Sequence, residues 1–198
     1  MYRRFVKRAL DFAASLCGVI VLSPVLLVLA LWVKLDSKGP VLFRQKRVGK
    51  DKTHFSILKF RTMYADTPKD VPTHLLQNPE AMITRSGRFL RKTSLDELPQ
   101  MFNILAGQMS VIGPRPALWN QYDLIAERDK YGANALVPGL TGWAQVNGRD
   151  ELPIPVKARY DGEYAQKISF AFDVKIFFKT VANVFTARGV VEGGTHGK

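Results

Sequence analysis

The sequence predicts a mainly α-helical protein with a few short strands, of the α+β class, built around a membrane segment near its N-terminus. Three observations support this fold class: 22 consecutive uncharged residues at 12–33, several later segments with helical spacing of apolar residues, and only two short stretches of strand character. A chain of 198 residues can bury a sizeable core without disulfides or cofactors. We therefore expect one membrane-associated catalytic domain over 1–198.

The uncharged segment is too long for the apolar part of a signal peptide and is expected to stay in the membrane. As a straight helix it would reach about 33 Å, enough to cross a hydrocarbon core of about 30 Å. Ser23 and Pro24 lie at its centre, however, and proline bends or breaks a helix. Basic residues also flank both ends, which favours both ends on the cytoplasmic side. We therefore predict a re-entrant membrane helix over 1–35, broken at Ser23-Pro24, with a single span as the alternative.

The residues that lead into this segment are charged, and they are candidates for the membrane boundary. Lys7, Arg8 and Asp11 fall within the first turns of the expected helix. Because Lys7 and Asp11 are four residues apart, they are predicted to pair on one helical face and so reduce the cost of a carboxylate near lipid.

Residues 36–188 are predicted to form the compact catalytic part. Short strands are expected at 41–43 and 55–60, with a basic turn at 48–51 between them, and a polar, proline-containing loop at 64–84. Helices are expected at 86–92, 95–106, 117–131, 155–166 and 171–187. The last of these has an amphipathic pattern that suits either a core face or an interfacial membrane helix. Residues 189–198 are expected to be a flexible tail.

The composition restricts the function. A net charge of +12, from 29 Lys and Arg against 17 Asp and Glu, indicates an anionic partner, which could be nucleic acid, an anionic membrane surface or a phosphorylated substrate. One cysteine excludes an intramolecular disulfide, and three scattered histidines do not match a zinc site. A metal, if one is used, is expected on oxygen ligands.

Asp96 and Glu97 are the candidate catalytic residues. Motifs typical of P-loop, Rossmann, zincin and serine hydrolase sites are missing from the sequence, whereas these two adjacent carboxylates stand among arginines and lysines. An ionised aspartate beside cations can attack phosphorus, and two neighbouring carboxylates facing a diphosphate favour a bridging divalent cation. The structural alternative is a helix cap, in which Ser94 and Glu97 form a capping box.

Several further motifs extend over nearly the whole chain, and their order and spacing are specific. They are Lys7-Arg8-x-x-Asp11, Ser23-Pro24, 59–63 (KFRTM), Asp96-Glu97, 109–116 (MSVIGPRP), 138–142 (PGLTG), 145–149 (QVNGR) and Tyr160-Asp161. With them the chain resembles the bacterial sugar transferase family of monotopic phosphoglycosyl transferases.

The resemblance implies an enzyme that moves a sugar-1-phosphate from a UDP-sugar to undecaprenyl phosphate, releasing UMP, in the first membrane step of glycan assembly. It implies Asp96 as the nucleophile of a covalent, ping-pong reaction, and Glu97 as a residue that helps to bind Mg²⁺ or positions the phosphate. Glu97 and Asp96 are the candidate metal ligands. It also implies a monotopic protein on the cytoplasmic face of the bacterial inner (plasma) membrane, in contact with inner-leaflet lipid. The sugar, the glycan pathway and homo-oligomerisation are left open.

The remaining candidates are substrate-binding residues. The resemblance implies phosphate and nucleotide contacts at four basic positions, Lys59, Arg91, Arg115 and Arg149. Four further candidates for substrate binding are Arg61, Arg88, Gln145 and Asp161. A purely structural role is the alternative for each basic residue and for Asp161.

Two other functions compete with the transferase. The charge would suit a membrane-anchored nucleic-acid binder, but no nucleic-acid-binding motif is found, so no nucleic-acid partner is expected. A membrane scaffold without catalysis would use Asp96 and Glu97 only as a cap. Sugar-phosphate transfer that is lost in Asp96→Asn would exclude the scaffold.

Overall fold

The computed structural model describes residues 2–68, 78–148 and 152–185. Their helices are α1 Lys7–Asp36, α2 Arg85–Thr93, α3 Gln100–Leu105, α4 Tyr122–Asp129, α5 Trp143–Val146, α6 Ile154–Lys167 and α7 Phe170–Phe185. The strands are β1 Leu42–Val48, β2 His54–Phe60, β3 Ser110–Ile112 and β4 Gly139–Thr141. This composition confirms the predicted mainly helical α+β class.

Two small sheets organise the catalytic part. β1 and β2 form an antiparallel hairpin that runs from the Leu42 and Phe60 pair to the Val48 and His54 pair. β3 and β4 pair in parallel, with Ser110 beside Gly139. The second sheet was not predicted, because strands of three residues are too short to show an alternating pattern.

Helix α1 is 30 residues long and is the one described helix that is long and apolar enough to cross a membrane, by length and composition. Only 11% of its most apolar window is buried against the rest of the protein. A core helix of a water-soluble protein would be covered on most sides, so this exposed apolar surface indicates contact with lipid.

The helix continues through the Ser23-Pro24 position, where a break was predicted. Pro24 has no amide hydrogen, so the carbonyl of Ile20, four residues earlier, loses its usual partner. The Ser23 hydroxyl donates to that carbonyl at 2.8 Å instead. The serine therefore compensates for the proline and explains why the helix is not interrupted, and the re-entrant path stays a prediction.

The predicted pair between Lys7 and Asp11 is wrong, because both side chains are engaged by distant parts of the chain. Lys7 forms an ion pair with Asp173 of α7 at 2.7 Å. Asp11, which is buried, accepts a hydrogen bond from the Val111 amide of β3 at 3.0 Å. Arg8 donates to the carbonyls of Ile104 and Leu105 at the end of α3. These contacts fasten the start of α1 to the catalytic part.

The end of α1 is fastened to the same catalytic part. Asp36 accepts hydrogen bonds from the Ser86 amide at 2.9 Å and the Ser86 hydroxyl at 2.8 Å, at the start of α2. Buried Arg61 donates to the carbonyls of Val33 at 3.0 Å and Ser37 at 2.7 Å. A helix C-terminus leaves carbonyls unpaired, and Arg61 satisfies two of them.

Within the part of the chain that the structure describes, four apolar clusters join the elements. Two of them surround the turn between α2 and α3, and they are Leu29, Val33, Phe60 and Leu90 between α1, β2 and α2, and Phe55, Ile57, Ile104 and Met109 between β2 and α3. They hold α2 and α3 against β2. The turn that connects these two helices is thereby placed beside the same strand.

Several predicted boundaries change. Strand β1 is longer than predicted, because its charged central residues point outward from a two-stranded hairpin. The helix predicted at 95–106 is divided into a 3-10 turn, Leu95–Glu97, and α3. The helix predicted at 117–131 begins only at Tyr122. The predicted tail and the centre of the 64–84 loop lie outside the described residues.

Candidate active site

Asp96 and Glu97 lie on a single 3-10 turn, Leu95–Glu97, between α2 and α3. Ser94 ends α2 in the left-handed region, at φ 57°, which reverses the chain. Its side chain makes no capping hydrogen bond, and the Glu97 side chain points to other partners. The capping-box interpretation is therefore wrong, and the two carboxylates are available for a site.

Two cationic side chains form salt bridges with Glu97. Lys59 Nζ lies 2.7 Å from Glu97 Oε1, and Arg115 reaches the same oxygen at 2.9 Å and Oε2 at 3.5 Å. Burial acts to raise the pKa of Glu97, but the charges and hydrogen bonds of Arg115 and Lys59 outweigh it and hold this pKa well below its usual range. These contacts favour the ionised form of Glu97.

Asp96 has a different environment. It is 8% exposed, and its Oδ2 lies 3.9 Å from Lys59 Nζ, longer than a hydrogen bond. Burial raises the pKa of Asp96; the positive charge of Lys59 opposes this shift and the negative charge of Glu97 reinforces it. Two adjacent carboxyls whose pKa values move in opposite directions are typical of sites in which each has its own role.

The strand β2 supplies Lys59, and a buried asparagine holds that strand against α3. Asn103 Oδ1 accepts from the Leu58 amide at 2.9 Å, and its Nδ2 donates to the Ser56 carbonyl at 2.9 Å. Asn103 therefore fixes the helix that follows the catalytic turn relative to the strand that carries Lys59. The sequence analysis missed it; a polar residue within the apolar stretch of α3 was the available signal.

The close approach of α2 to the end of β2 requires a glycine. A Cβ built on Gly87 would lie 2.0 Å from the Thr62 carbonyl oxygen. The same approach brings Arg91 Nε within 2.9 Å of Thr62 Oγ1, and the charge of Arg91 opposes the rise in the pKa of Asp96. Its contact with substrate stays a prediction.

The structure shows different surroundings for the other predicted residues, or does not describe them. Arg61 is buried at the end of α1, and Arg88 is exposed on α2. Gln145 donates to the Leu140 carbonyl at 3.0 Å. Asp161 is 1% exposed and pairs with Arg128 of α4 at 2.6 Å. Arg149 lies outside the described residues.

The donor set for a metal is small. Within 2–68, 78–148 and 152–185, no group of three or more His, Cys, Asp or Glu side chains comes together. Asp96 and Glu97 are two oxygen donors on one turn, which suits Mg²⁺, an ion usually bound through one or two carboxylates together with substrate phosphates and water. The residues present therefore fit Mg²⁺ better than zinc or a fully protein-enclosed ion.

The chain is similar to one known family and to several known proteins. The family described as bacterial sugar transferase matches residues 2–187. The chain is 39% identical over 194 residues to the undecaprenyl-phosphate glucose phosphotransferase of Komagataeibacter xylinus, with 92% of this chain and 36% of that protein covered. It is 43% identical over 190 residues to the UDP-glucose:undecaprenyl-phosphate glucose-1-phosphate transferase of Escherichia coli K12, with 92% and 40% covered.

The chain thus spans less than half the length of these two relatives. It matches the exopolysaccharide production protein PSS of Rhizobium leguminosarum over nearly all of both chains, with 40% identity over 192 residues and 91% and 96% covered. The range that the family matches, 2–187, includes Asp96 and Glu97.

Proposed function

Because the chain belongs to the bacterial sugar transferase family, we propose that it transfers a sugar-1-phosphate from a UDP-sugar to undecaprenyl phosphate, with release of UMP. The observation that carries the proposal is the catalytic turn: Asp96, buried and with a raised pKa, stands next to Glu97, which Lys59 and Arg115 hold ionised. The names of the relatives from K. xylinus and E. coli support the two substrate classes.

The reaction proceeds in two steps at one carboxylate. An Asp96 oxygen forms a bond to the phosphorus attached to the sugar, and the bond from that phosphorus to the bridging oxygen breaks, so that UMP leaves with the bond's electron pair. A phosphate oxygen of undecaprenyl phosphate then attacks the same phosphorus and displaces Asp96. The products are an undecaprenyl diphosphate sugar and the free carboxylate.

The cations around Asp96 serve both steps. Lys59 and Arg115 reduce the repulsion between the two carboxylates and an incoming diphosphate, and Arg91 adds further positive charge near Asp96. Because they are bonded to Glu97 or Thr62, they are already oriented before substrate arrives. Little reorganisation is then needed as charge shifts onto the leaving group.

Glu97, together with Asp96, would hold a Mg²⁺ ion. When bound, this ion neutralises negative charge on the diphosphate and on the departing UMP. Activity is expected to be lost in excess EDTA and restored by MgCl₂. Full turnover in EDTA would remove the metal from the proposal while leaving the carboxylate chemistry in place.

The membrane part of the proposal is a re-entrant α1 on the cytoplasmic face of the bacterial plasma membrane. Its support is that both ends of α1 contact the same catalytic part, through Arg8 to α3 and through Asp36 to α2. A straight helix of 30 residues is about 45 Å long. If it crossed the bilayer, its two ends would lie on opposite sides, and one of these contacts would have to pass through lipid.

The test is a panel of UDP-sugars with undecaprenyl phosphate, read out as UMP release. One or a few sugars should give turnover, and Asp96→Asn should give none. With the UDP-sugar alone, the protein should release one equivalent of UMP and gain one sugar-phosphate mass on the peptide that contains Asp96. UMP release that always requires the lipid acceptor, with no adduct, would favour direct transfer in a ternary complex.

A further inference from the structure

The segment that carries Arg115, residues 113–117, follows β3 and has no regular secondary structure. Its sequence, Gly-Pro-Arg-Pro-Ala, contains two prolines, which have no amide hydrogen to donate. The segment cannot form a complete hydrogen-bond ladder of its own. Hydrogen-bond donors from other elements set the position of the segment, and with it the position of the Arg115 Cα.

Those donors reach consecutive carbonyls of the segment. The Gly139 amide donates to Pro114 O at 2.9 Å, and Arg128 Nη2 donates to Arg115 O at 3.0 Å. Arg47 Nη1 donates to Pro116 O at 3.0 Å, and the Val48 amide donates to Ala117 O at 2.9 Å. Arg128 therefore donates a hydrogen bond to the backbone of Arg115, the residue whose side chain binds Glu97.

Arg128 is itself fixed by Asp161 of α6. Its Nε lies 2.8 Å and its Nη2 2.6 Å from Asp161 Oδ2, and the two side chains are 5% and 1% exposed. A buried ion pair is weak evidence for stability, because well-packed apolar residues often stabilise a core equally well. An apolar pair could join α4 to α6, but it could not donate a hydrogen bond to the Arg115 carbonyl.

From this geometry we infer that Arg128 and Asp161 are positioning residues for the transfer reaction. Asp161 orients the guanidinium of Arg128, and Arg128 fixes the backbone of Arg115. The guanidinium of Arg115 then binds the Glu97 carboxylate. The inference rests on the proposed function for its catalytic consequence, and it gives Asp161 a role in place of substrate contact. It requires that the effect of changing Arg128 pass through Arg115.

A double-mutant cycle tests this path. Arg128→Lys keeps the charge beside Asp161 but removes the planar guanidinium, in which Nε and Nη2 bind Asp161 while Nη2 also donates to the Arg115 carbonyl, so the orientation of that donor is no longer fixed. UMP release should fall about 10-fold in this variant, as expected for a small displacement of a catalytic group. In an Arg115→Ala background the same change should cost less than about 2-fold. Equal factors in the two backgrounds would overturn the inference.

Two further variants sharpen the result. Arg47→Lys weakens the hydrogen bond to the next carbonyl, Pro116 O, and tests the last part of the path, in which the backbone of 113–117 positions Arg115, if Arg128→Lys fails to fold. It should show the same dependence on Arg115, and equal factors in the two backgrounds would overturn the inference. Asp129→Asn is the matched control, since it removes the exposed pair with Lys52 from the adjacent position of α4 and should leave the rate unchanged.

A readout that does not depend on activity separates this inference from the proposed function. In thermal unfolding, Arg128→Lys should lower the midpoint less in a Glu97→Gln background than in wild type, because the charge pair between Arg115 and Glu97 that it disturbs is already lost. If wild type transfers no sugar phosphate from any UDP-sugar, the proposed function fails and this cycle alone decides. Additive midpoints would then overturn the positioning path.

Discussion

At the scale of single residues, burial of Asp96 disfavours its ionised form in the folded protein relative to its protonated form. A carboxyl whose pKa is raised in the folded state adds stability below its unfolded pKa and loses that contribution as pH rises through its folded pKa. At neutral pH, therefore, the ionised Asp96 costs stability. Burial that makes the group reactive is also what makes the fold weaker at this position.

We expect Asp96→Asn to abolish transfer and to raise the thermal midpoint at neutral pH by roughly 2–4 °C, equivalent to about 1 kcal/mol for a chain of this size. The gain should shrink at acid pH, where Asp96 is protonated. Calorimetry or a dye-based unfolding scan at two pH values measures it. A lower midpoint than wild type at neutral pH would mean that the Asp96 carboxylate is a net stabilising partner of Lys59.

The pH dependence of the first step follows from the same shift. Asp96 must be ionised to attack, so burst release of UMP without lipid acceptor should decline as pH falls through a value above the ordinary 3.8 of aspartate. Glu97 stays ionised throughout this range. Replacing Lys59 with methionine removes the charge that opposes the shift and should move the decline to higher pH. An acid limb at or below the ordinary value would contradict the assignment to Asp96.

At the residue level, the sequence pointed to charged side chains that the structure also brings together, while their roles in catalysis and substrate binding stay predictions. Asp96 and Glu97 are neighbours in the chain, and Lys59, Arg91 and Arg115 lie beside them in the structure. Asn103 and Arg128 were missed, because each acts on backbone carbonyls or amides of another segment, and no side-chain pattern marks such partners. Lys7 and Asp11 have helical spacing, yet each prefers a partner about 100 or more residues away.

At the scale of elements, the placement of α2 depends on the absence of one side chain. Gly87→Ala would put a methyl group 2.0 Å from the Thr62 carbonyl oxygen, so α2 must move away from β2. We expect a loss of about 1–3 kcal/mol in stability and a fall in activity, because the catalytic turn follows α2 directly. Chemical denaturation and the UMP assay measure both effects.

Gly18→Ala is the matched control for this prediction. It is also a helical glycine, but its new methyl group would meet the flexible end of the Met101 side chain, which can turn away. Its stability should stay within about 0.5 kcal/mol of wild type. If both variants lose stability equally, the effect comes from helical glycine in general and not from the contact with Thr62.

The elements themselves were predictable to the extent that they have a period. β2, α2, α6 and α7 were placed within a few residues because their apolar spacing is regular. In two places the predicted elements differ from the structure because of a serine or a proline. Ser23 compensates for Pro24 within α1, and the turn at Ser94 divides a segment whose apolar pattern looks like one helix. In both places a local side-chain or backbone conformation overrides the periodic signal.

At the scale of the whole molecule, the question is where the two ends of α1 lie. Cys17 is exposed, so it must first be replaced by serine. In that background we expect Arg3→Cys and Lys38→Cys both to be inaccessible to a membrane-impermeant maleimide added to intact cells, and both to react after lysis. Both positions are exposed and lie just outside the helix. Labelling of either one in intact cells would favour a single span and contradict the re-entrant path.

The fastening of α1 at both ends has a thermodynamic corollary. Arg8 secures the helix to α3 and Asp36 secures it to α2, and these are the two helices between which the catalytic turn is held. Anchoring and catalysis therefore share one free-energy cycle, and coupling of this kind is reciprocal. Under the proposed function, a nucleotide sugar that tightens the turn should, by the same free energy, make the protein harder to extract from a bilayer, and lipids that strain α1 should weaken nucleotide binding.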